Sequence, residues 1–154
     1  MVYMSIDILI YIDDTLTDED LQLDEYYTPI HLKELFQKSN NAQTVYYSLP
    51  KNYKGKLSSE VNIIERSSID DATFWKGVFE KTGSKHIAKV QGDSLFFDIS
   101  VFDEMSQMHI DSLAEYTFSE NLPAGFNCEF VSKQLIDSIP SFKDETLPLE
   151  KVVR

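Results

Sequence analysis

The chain has 154 residues, of which 42% are hydrophobic, and this length fits one domain with a continuous core. Its formal net charge of -12 and its two arginines disfavour nucleic acid and anionic membrane surfaces as partners, because both require clustered basic side chains. The single cysteine, Cys128, excludes an internal disulfide. No signal peptide or membrane-spanning run is recognisable, so we expect a cytoplasmic protein.

The first half of the chain predicts two strands and a helix, separated by an acidic stretch. The apolar, β-branched run Ile6–Ile12 is typical of a buried strand. Asp13–Glu25 follows, with seven carboxylates and no basic residue. Thr28 and Pro29 predict a helix with Thr28 as its N-cap, ending near Ser39. A second strand is predicted at Thr44–Leu49, and a polar loop at Pro50–Ser59.

The second half predicts strands that alternate with helices. This alternation indicates a mostly parallel sheet covered on both faces, which is a three-layer α/β/α sandwich of Rossmann-like type. The predicted elements are a short strand Val61–Ile64, a helix capped by Asp70 or Asp71 and closed by Gly83, strand His86–Gln91, a helix through Val101 and Met105, strand Ala114–Phe118, strand Glu129–Val131, and a helix capped by Ser132.

The sequence therefore predicts one α/β domain at residues 1–140. The tail, Ser141–Arg154, has no clear helical face, and we expect a tail or a linker to a further part of a longer polypeptide.

The strongest candidate for chemistry is the point where strand His86–Gln91 runs into Gly92 and Asp93. Ligands of open parallel sheets bind beyond the carboxyl ends of the strands. Asp93 suits Mg²⁺, which takes few protein ligands and shares phosphate oxygens with a substrate. Gly92 would allow close approach of a ligand to the backbone. The alternative is that Asp93 only starts a turn and caps the following segment, and the dipeptide alone leaves both interpretations open.

Three short motifs follow one another in this half: Gly92-Asp93-Ser94-Leu95-Phe96-Phe97-Asp98, Ala114-Glu115-Tyr116, and Asn121-Leu122-Pro123-Ala124-Gly125-Phe126-Asn127-Cys128-Glu129-Phe130. In this order and spacing, the stretch from Ile69 to Ile139 resembles the cytidylyltransferases of the nucleotide-diphospho-sugar transferase (GT-A) superfamily, especially the SpsF-like and acylneuraminate branches. A spirochaetal family that joins such a domain to a SPASM-type iron–sulfur region is also similar.

The resemblance implies a GT-A fold and a set of site residues. Asp93 would bind the metal, Mg²⁺ in an active enzyme. Gly92 and Ser94 would lie against a nucleotide, and Glu129 would lie near the sugar. A sugar nucleotide or another small anionic ligand is the implied partner. For Glu129 the alternative is an ordinary charge at a strand edge.

The start of the chain departs from the superfamily pattern. There, the first strand runs into a glycine-rich loop with arginine and lysine, which surrounds the triphosphate with N–H groups and positive charge. Here Asp13–Asp20 occupies that place, and no glycine, arginine or lysine precedes Lys33. Like charges at such range cost on the order of a kcal/mol each. We therefore expect a catalytically degenerate domain that binds a ligand or a partner.

Two enzymatic alternatives remain open from the sequence. The first is an active, metal-dependent cytidylyltransferase. The second is a phosphatase, because Tyr11-Ile12-Asp13-Asp14-Thr15-Leu16-Thr17 resembles the strand-end signature of the haloacid-dehalogenase family. With Asp13 as the acid/base, however, Tyr11 occupies the place of the nucleophilic aspartate. The three histidines, His31, His86 and His109, show no metal-ligand spacing.

Overall fold

The computed structural model describes residues 6–66, 71–119, 122, 126, 128–139 and 149. Its strands are β1 (Ile6–Tyr11), β2 (Gln22–Leu23), β3 (Tyr26–Tyr27), β4 (Ala42–Pro50), β5 (Ile63–Arg66), β6 (His86–Gln91), β7 (Tyr116–Phe118) and β8 (Cys128–Ser132). Its helices are α1 (Asp18–Leu21), α2 (Thr28–Phe36), α3 (Ala72–Thr82), α4 (Ile99–Asp111) and α5 (Lys133–Ser138), with a 3₁₀ turn at Lys56–Ser59.

A six-stranded sheet in the order β5-β4-β1-β6-β8-β7 forms the centre of the domain. The pairs β5/β4, β4/β1 and β1/β6 are parallel, whereas β8 runs antiparallel to both of its neighbours. The prediction of a mostly parallel sheet is confirmed. The reversed strand β8 was not predicted, because strand direction depends on pairing and not on local residue pattern.

Alternate side chains of β1 enter opposite hydrophobic layers, as the two-residue period of a strand requires. Ile8 and Ile10 pack in the layer that contains Leu32 of α2 and Phe102 of α4. Leu9 packs in the other layer, with residues of α3 and α5 that include Trp75 and Ile136. Helices thus cover both faces, and the predicted three-layer α/β/α architecture of Rossmann-like type is confirmed.

The ends of the helices follow the predicted signals closely. Asp71 caps α3 by accepting a hydrogen bond from the backbone N–H of Phe74, and Ser132 caps α5 in the same way. Gly83 ends α3 in the left-handed conformation, with φ of 68°. The prediction for α2 is wrong by one residue. Thr28 is already helical and Tyr27 is the N-cap, since the short strand β3 leads directly into the helix.

The acidic stretch Asp13–Glu25 has more structure than the sequence predicted. It contains α1 and the hairpin β2–β3, and Leu21 reaches the hydrophobic core. The Asp18 carboxylate accepts hydrogen bonds from the hydroxyls of Tyr27 (2.6 Å) and Tyr53 (3.1 Å) and from the backbone N–H of Lys56 (2.9 Å). These bonds lower the Asp18 pKa against the opposing effect of its burial. They fasten the acidic stretch to the loop after β4.

One residue of the predicted tail belongs to the core. Leu149 is completely buried in the layer formed with α3 and α5. The rest of Ser141–Arg154, and the proposed boundary at residue 140, lie outside the described residues. Within the described ranges, no helix combines the length and the apolar character needed to span a bilayer.

Three polar side chains contact one another in series at the end of the sheet where β6 begins. His86 Nδ1 lies 3.0 Å from His109 Nε2, and His109 Nδ1 lies 2.7 Å from Thr117 Oγ1. His86 lines a surface cavity of about 410 Å³, whereas His109 is buried and stacks on Phe130. Burial, reinforced by the neighbouring imidazole, lowers the pKa of His109 to about 4.

This buried imidazole predicts a loss of stability in mild acid. Its pKa is about 6.5 in the unfolded chain and about 4 in the folded one, so the unfolded state binds the extra proton as the pH falls between these values. We expect the free energy of unfolding to fall by roughly 2 kcal/mol between pH 7 and pH 5. Urea titrations at half-unit pH intervals measure this dependence.

His109→Gln should weaken that dependence, and the part that remains should come from His86, whose pKa is also lowered by burial. A wild-type stability that stays constant from pH 7 to pH 5 would contradict the assignment. Carboxylates with lowered pKa values, such as Asp18, act only below this window.

Candidate functional site

The predicted site lies where β5, β4, β1 and β6 end, because these parallel strands finish at one edge of the sheet. Tyr11 pairs with Ser48 of β4 on one side and with Gln91 of β6 on the other. Asp13 and Asp93 therefore follow adjacent strands at corresponding positions. This carboxyl edge is where open α/β sheets bind ligands.

Gly92 is required by the packing of the strands. Its N–H donates to the carbonyl of Tyr11 (2.8 Å), and a Cβ placed on it would lie only 2.3 Å from Cδ1 of Ile12. Ile12 is completely buried. Close packing against Ile12 and the end of β1 is thus one reason for a glycine here, and the approach of a ligand stays a prediction.

Asp93 and Ser94 form the turn that follows β6. Asp93 is exposed, and its carbonyl accepts from the N–H of Leu95 (2.8 Å). Asp93 thus lies in a turn, as the alternative expects, and the helix that follows is capped by Asp98. Ser94 is 1% exposed, and its Oγ has no hydrogen-bond partner within the described part of the chain. Buried hydroxyls are nearly always satisfied, so this one is conspicuous.

Glu129 lies inside the sheet, since β8 runs between β6 and β7. The interpretation of Glu129 as an edge charge is therefore wrong. Its carboxylate accepts a short hydrogen bond from the hydroxyl of Tyr116 and lies 3.5 Å from Nζ of Lys89, its cross-strand neighbour. Lys89 is buried, and the pair places one positive and one negative charge on the face covered by α3 and α5.

Arg66 is the main feature that sequence reasoning missed. This last residue of β5 is buried, and its Nη1 donates to the carbonyl (2.7 Å) and Oγ (3.2 Å) of Ser48. Its Nη2 donates to the carbonyl of Ile12 and to Oδ1 of Asp14 (2.6 Å). Two features of the sequence could have indicated it. Arg66 is one of only two arginines in a strongly acidic chain, and it follows a predicted strand closely.

The ring of Tyr11 lies close to two buried cationic side chains. Cζ of Arg66 lies 3.8 Å and Nζ of Lys89 lies 4.4 Å from the ring centroid. Both distances are within the range of cation–π attraction. Tyr11 therefore packs its aromatic ring against two cationic side chains at this edge of the sheet.

The turn after β1 is closed by its own carboxylate. Asp13 Oδ1 accepts from the backbone N–H (2.9 Å) and from the hydroxyl (2.7 Å) of Thr15. These two bonds are the main reason that the pKa of Asp13 lies below its usual value. The carbonyl of Asp13 also accepts from the N–H of Leu16 (3.2 Å). Asp13 is therefore a turn-forming residue here.

Among the described residues, no group of three or more histidine, cysteine, aspartate or glutamate side chains is arranged to hold a metal ion. The assignment of Asp93 as a metal ligand stays a prediction, as do those of Gly92, Ser94 and Glu129 as ligand-binding residues. Of the third predicted motif, Asn121, Pro123–Gly125 and Asn127 lie outside the described residues.

Comparison with solved structures identifies the fold. A cytidylyltransferase from Leptospira borgpetersenii matches with a TM-score of 0.71 at 14% identity, over 87% of this chain and 63% of that protein. CMP:2-keto-3-deoxy-manno-octonic acid synthetase in complex with CTP matches with a TM-score of 0.60 at 9% identity, over 86% and 75%. Rv0371C from Mycobacterium tuberculosis H37Rv in complex with manganese matches with a TM-score of 0.57 at 10% identity, over 86% and 73%.

These matches show that the chain has a Rossmann-like fold that it shares with cytidylyltransferases. The resemblance seen in the sequence is confirmed at the level of fold. The chain spans about 63% of the length of the Leptospira protein. No protein-family model and no curated protein matches the sequence itself.

The contact between Gly92 and Ile12 gives a test of why the glycine is present. Gly92→Ala should destabilise the domain by about 1–3 kcal/mol, because the new methyl group would overlap a buried side chain. Urea unfolding measures the change. Gly77→Ala is the matched control, since a Cβ there meets nothing within 4 Å, and it should stabilise α3 by about 0.5–1 kcal/mol.

Ile12→Val removes the clashing Cδ1, so the double variant Ile12→Val/Gly92→Ala should be less destabilised than the sum of the single variants. Additive effects would show that the overlap is not the cause.

Proposed function

We propose that this chain is a catalytically degenerate nucleotidyltransferase-like domain, which binds a small anionic ligand such as a sugar nucleotide without transferring a nucleotidyl group. The observation that carries this proposal is the hydrogen bonding of the turn after β1. A triphosphate-binding loop must present free N–H groups to its ligand.

Three successive N–H groups of this turn are committed to the chain's own oxygens. Those of Thr15 and Leu16 donate to Asp13, and that of Thr17 donates to the carboxylate of Asp20 (2.9 Å). The groups that would stabilise phosphate oxygens are thus used internally. The carboxylates of Asp13 and Asp14 add repulsion to any phosphate approaching the same place.

The ligand-binding part of the proposal rests on the turn after β6. Ser94 offers a buried hydroxyl with no hydrogen-bond partner in the described residues, and Asp93 beside it is exposed. The two structural neighbours in complex with CTP and with manganese indicate nucleotide and a divalent cation as ligands to test. Magnesium shares phosphate oxygens with its substrate, so one exposed aspartate could serve such an ion.

The decisive measurement is a titration with CTP in the presence of Mg²⁺, combined with an assay for pyrophosphate release. The assay contains a sugar-acid acceptor such as 2-keto-3-deoxy-manno-octonic acid, because pyrophosphate leaves only when an acceptor takes the nucleotidyl group. We expect no pyrophosphate release, and CTP binding no tighter than a dissociation constant of roughly 1 mM, about −4 kcal/mol. CMP carries less negative charge and should bind at least as well as CTP. Release of pyrophosphate would show that catalysis survives, and micromolar CTP binding would show that a triphosphate site survives. Loss of either in Asp93→Asn would assign the metal.

Ser94→Ala separates ligand binding from stability. The free energy of unfolding should stay equal or rise slightly, because the variant removes a buried hydroxyl that makes no hydrogen bond within the described chain. The shifts that CMP induces in backbone amide resonances should weaken severalfold. The conservative variant Ser94→Thr keeps the hydroxyl and is the matched control. A loss of stability without any change in CMP binding would assign Ser94 a purely structural role.

A further inference from the structure

We propose that Arg66 is a phosphate-binding group whose outer nitrogen is occupied by Asp14, so that this carboxylate acts as a built-in competitor for anionic ligands. The inference deepens the proposed function, on which it rests, by naming the group that would receive a phosphate and the contact that blocks it. The phosphate would pair with Nη2 of Arg66, the nitrogen that now contacts Asp14.

The two partners differ sharply in burial. The side chain of Arg66 is 2% exposed and that of Asp14 is 73% exposed, although their Nη2 and Oδ1 atoms lie 2.6 Å apart. The carboxylate therefore covers the guanidinium from the solvent side. As far as the described residues go, removing or displacing Asp14 would open the side of Arg66 that faces the turn.

The guanidinium is held in place without Asp14. Nη1 donates to two oxygens of Ser48, and Nη2 also donates to the carbonyl of Ile12. The ring of Tyr11 stacks on it from the side. Because these contacts come from neighbouring strands, the cation stays oriented when the carboxylate leaves, and an incoming anion does not have to order it.

The contact with Asp14 is the weak member of this set. Asp14 is the one exposed side chain among these described partners, so water can hydrate its carboxylate when it leaves, whereas the other contacts are buried. A phosphate group has more charge than a carboxylate and three oxygens that can accept hydrogen bonds, and arginine pairs well with it. An anion must nevertheless compete with a tethered carboxylate, whose effective concentration is at least millimolar. This competition explains how a buried arginine could be present in a site with low affinity for anions.

Inorganic pyrophosphate is the probe that isolates this interaction, because it contains neither base nor sugar. We expect Asp14→Asn to bind pyrophosphate roughly tenfold more tightly than the wild type, through removal of both the competitor and its charge. Isothermal titration calorimetry without divalent metal measures the dissociation constants, and the amide resonances of Thr15 and Leu16 report the location.

Two matched variants control for the net charge of the acidic stretch and for the length of the side chain at position 14. Asp24→Asn removes the same charge from the same acidic stretch, at a residue with φ of 49° where asparagine is tolerated, and it should bind pyrophosphate as the wild type does. Asp14→Glu keeps a carboxylate on a longer arm and should retain low affinity. CMP and CTP in parallel titrations show whether the same gain extends to a phosphate carried by a nucleotide.

The inference is overturned if Asp14→Asn binds pyrophosphate no better than the wild type, or if Asp24→Asn gains as much. A failure of this inference can be distinguished from a failure of the proposed function. Release of pyrophosphate from CTP by the wild type would refute the degenerate function alone, whereas equal pyrophosphate affinities in all variants would refute only the masking of Arg66.

Discussion

The guanidinium of Arg66 ties the ends of three strands and the following turn into one unit. It extends from the last residue of β5 to the backbone of β4, to the carbonyl after β1 and to a carboxylate of the turn. A buried cation is costly unless hydrogen bonds surround it, so each of these oxygens is fixed in turn by the arginine. The conformation of the acidic turn therefore depends on a residue 52 positions further along the chain.

The layer architecture and the turn after β1 depend on different residues. The sheet and its helices superpose on those of cytidylyltransferases at 14% identity or less, because the layer architecture depends on the apolar pattern of strands such as β1. The turn after β1 contributes little to that pattern, and its N–H groups face the chain's own oxygens. A fold of this kind does not fix function by itself.

Most of the elements were predictable because their signals are local. The alternation of apolar residues in β1, the caps Asp71 and Ser132, and the left-handed Gly83 each depend on a few neighbouring residues. The site was less predictable because its determinants are distant in sequence. The need for a glycine at position 92 comes from Ile12, and the partner of Asp14 belongs to β5. The sequence predicted that Gly92 and Asp93 lie at the carboxyl edge of the sheet. It could not predict the hydrogen-bond partners at that edge, because they are distant in sequence.

The contact between His86 and His109, at the other end of the sheet, allows two arrangements of the ring protons. With both rings neutral, the series His86–His109–Thr117 can be satisfied in two ways. In the first, Thr117 donates to His109 and His109 donates to His86, so that His86 carries its hydrogen on Nε2. In the second, His86 donates to His109 and His109 donates to Thr117, so that Nε2 of His86 has a free lone pair. The two tautomeric series share one set of heavy-atom positions. The outermost nitrogen can thus exchange the role of donor for that of acceptor while no atom heavier than hydrogen moves.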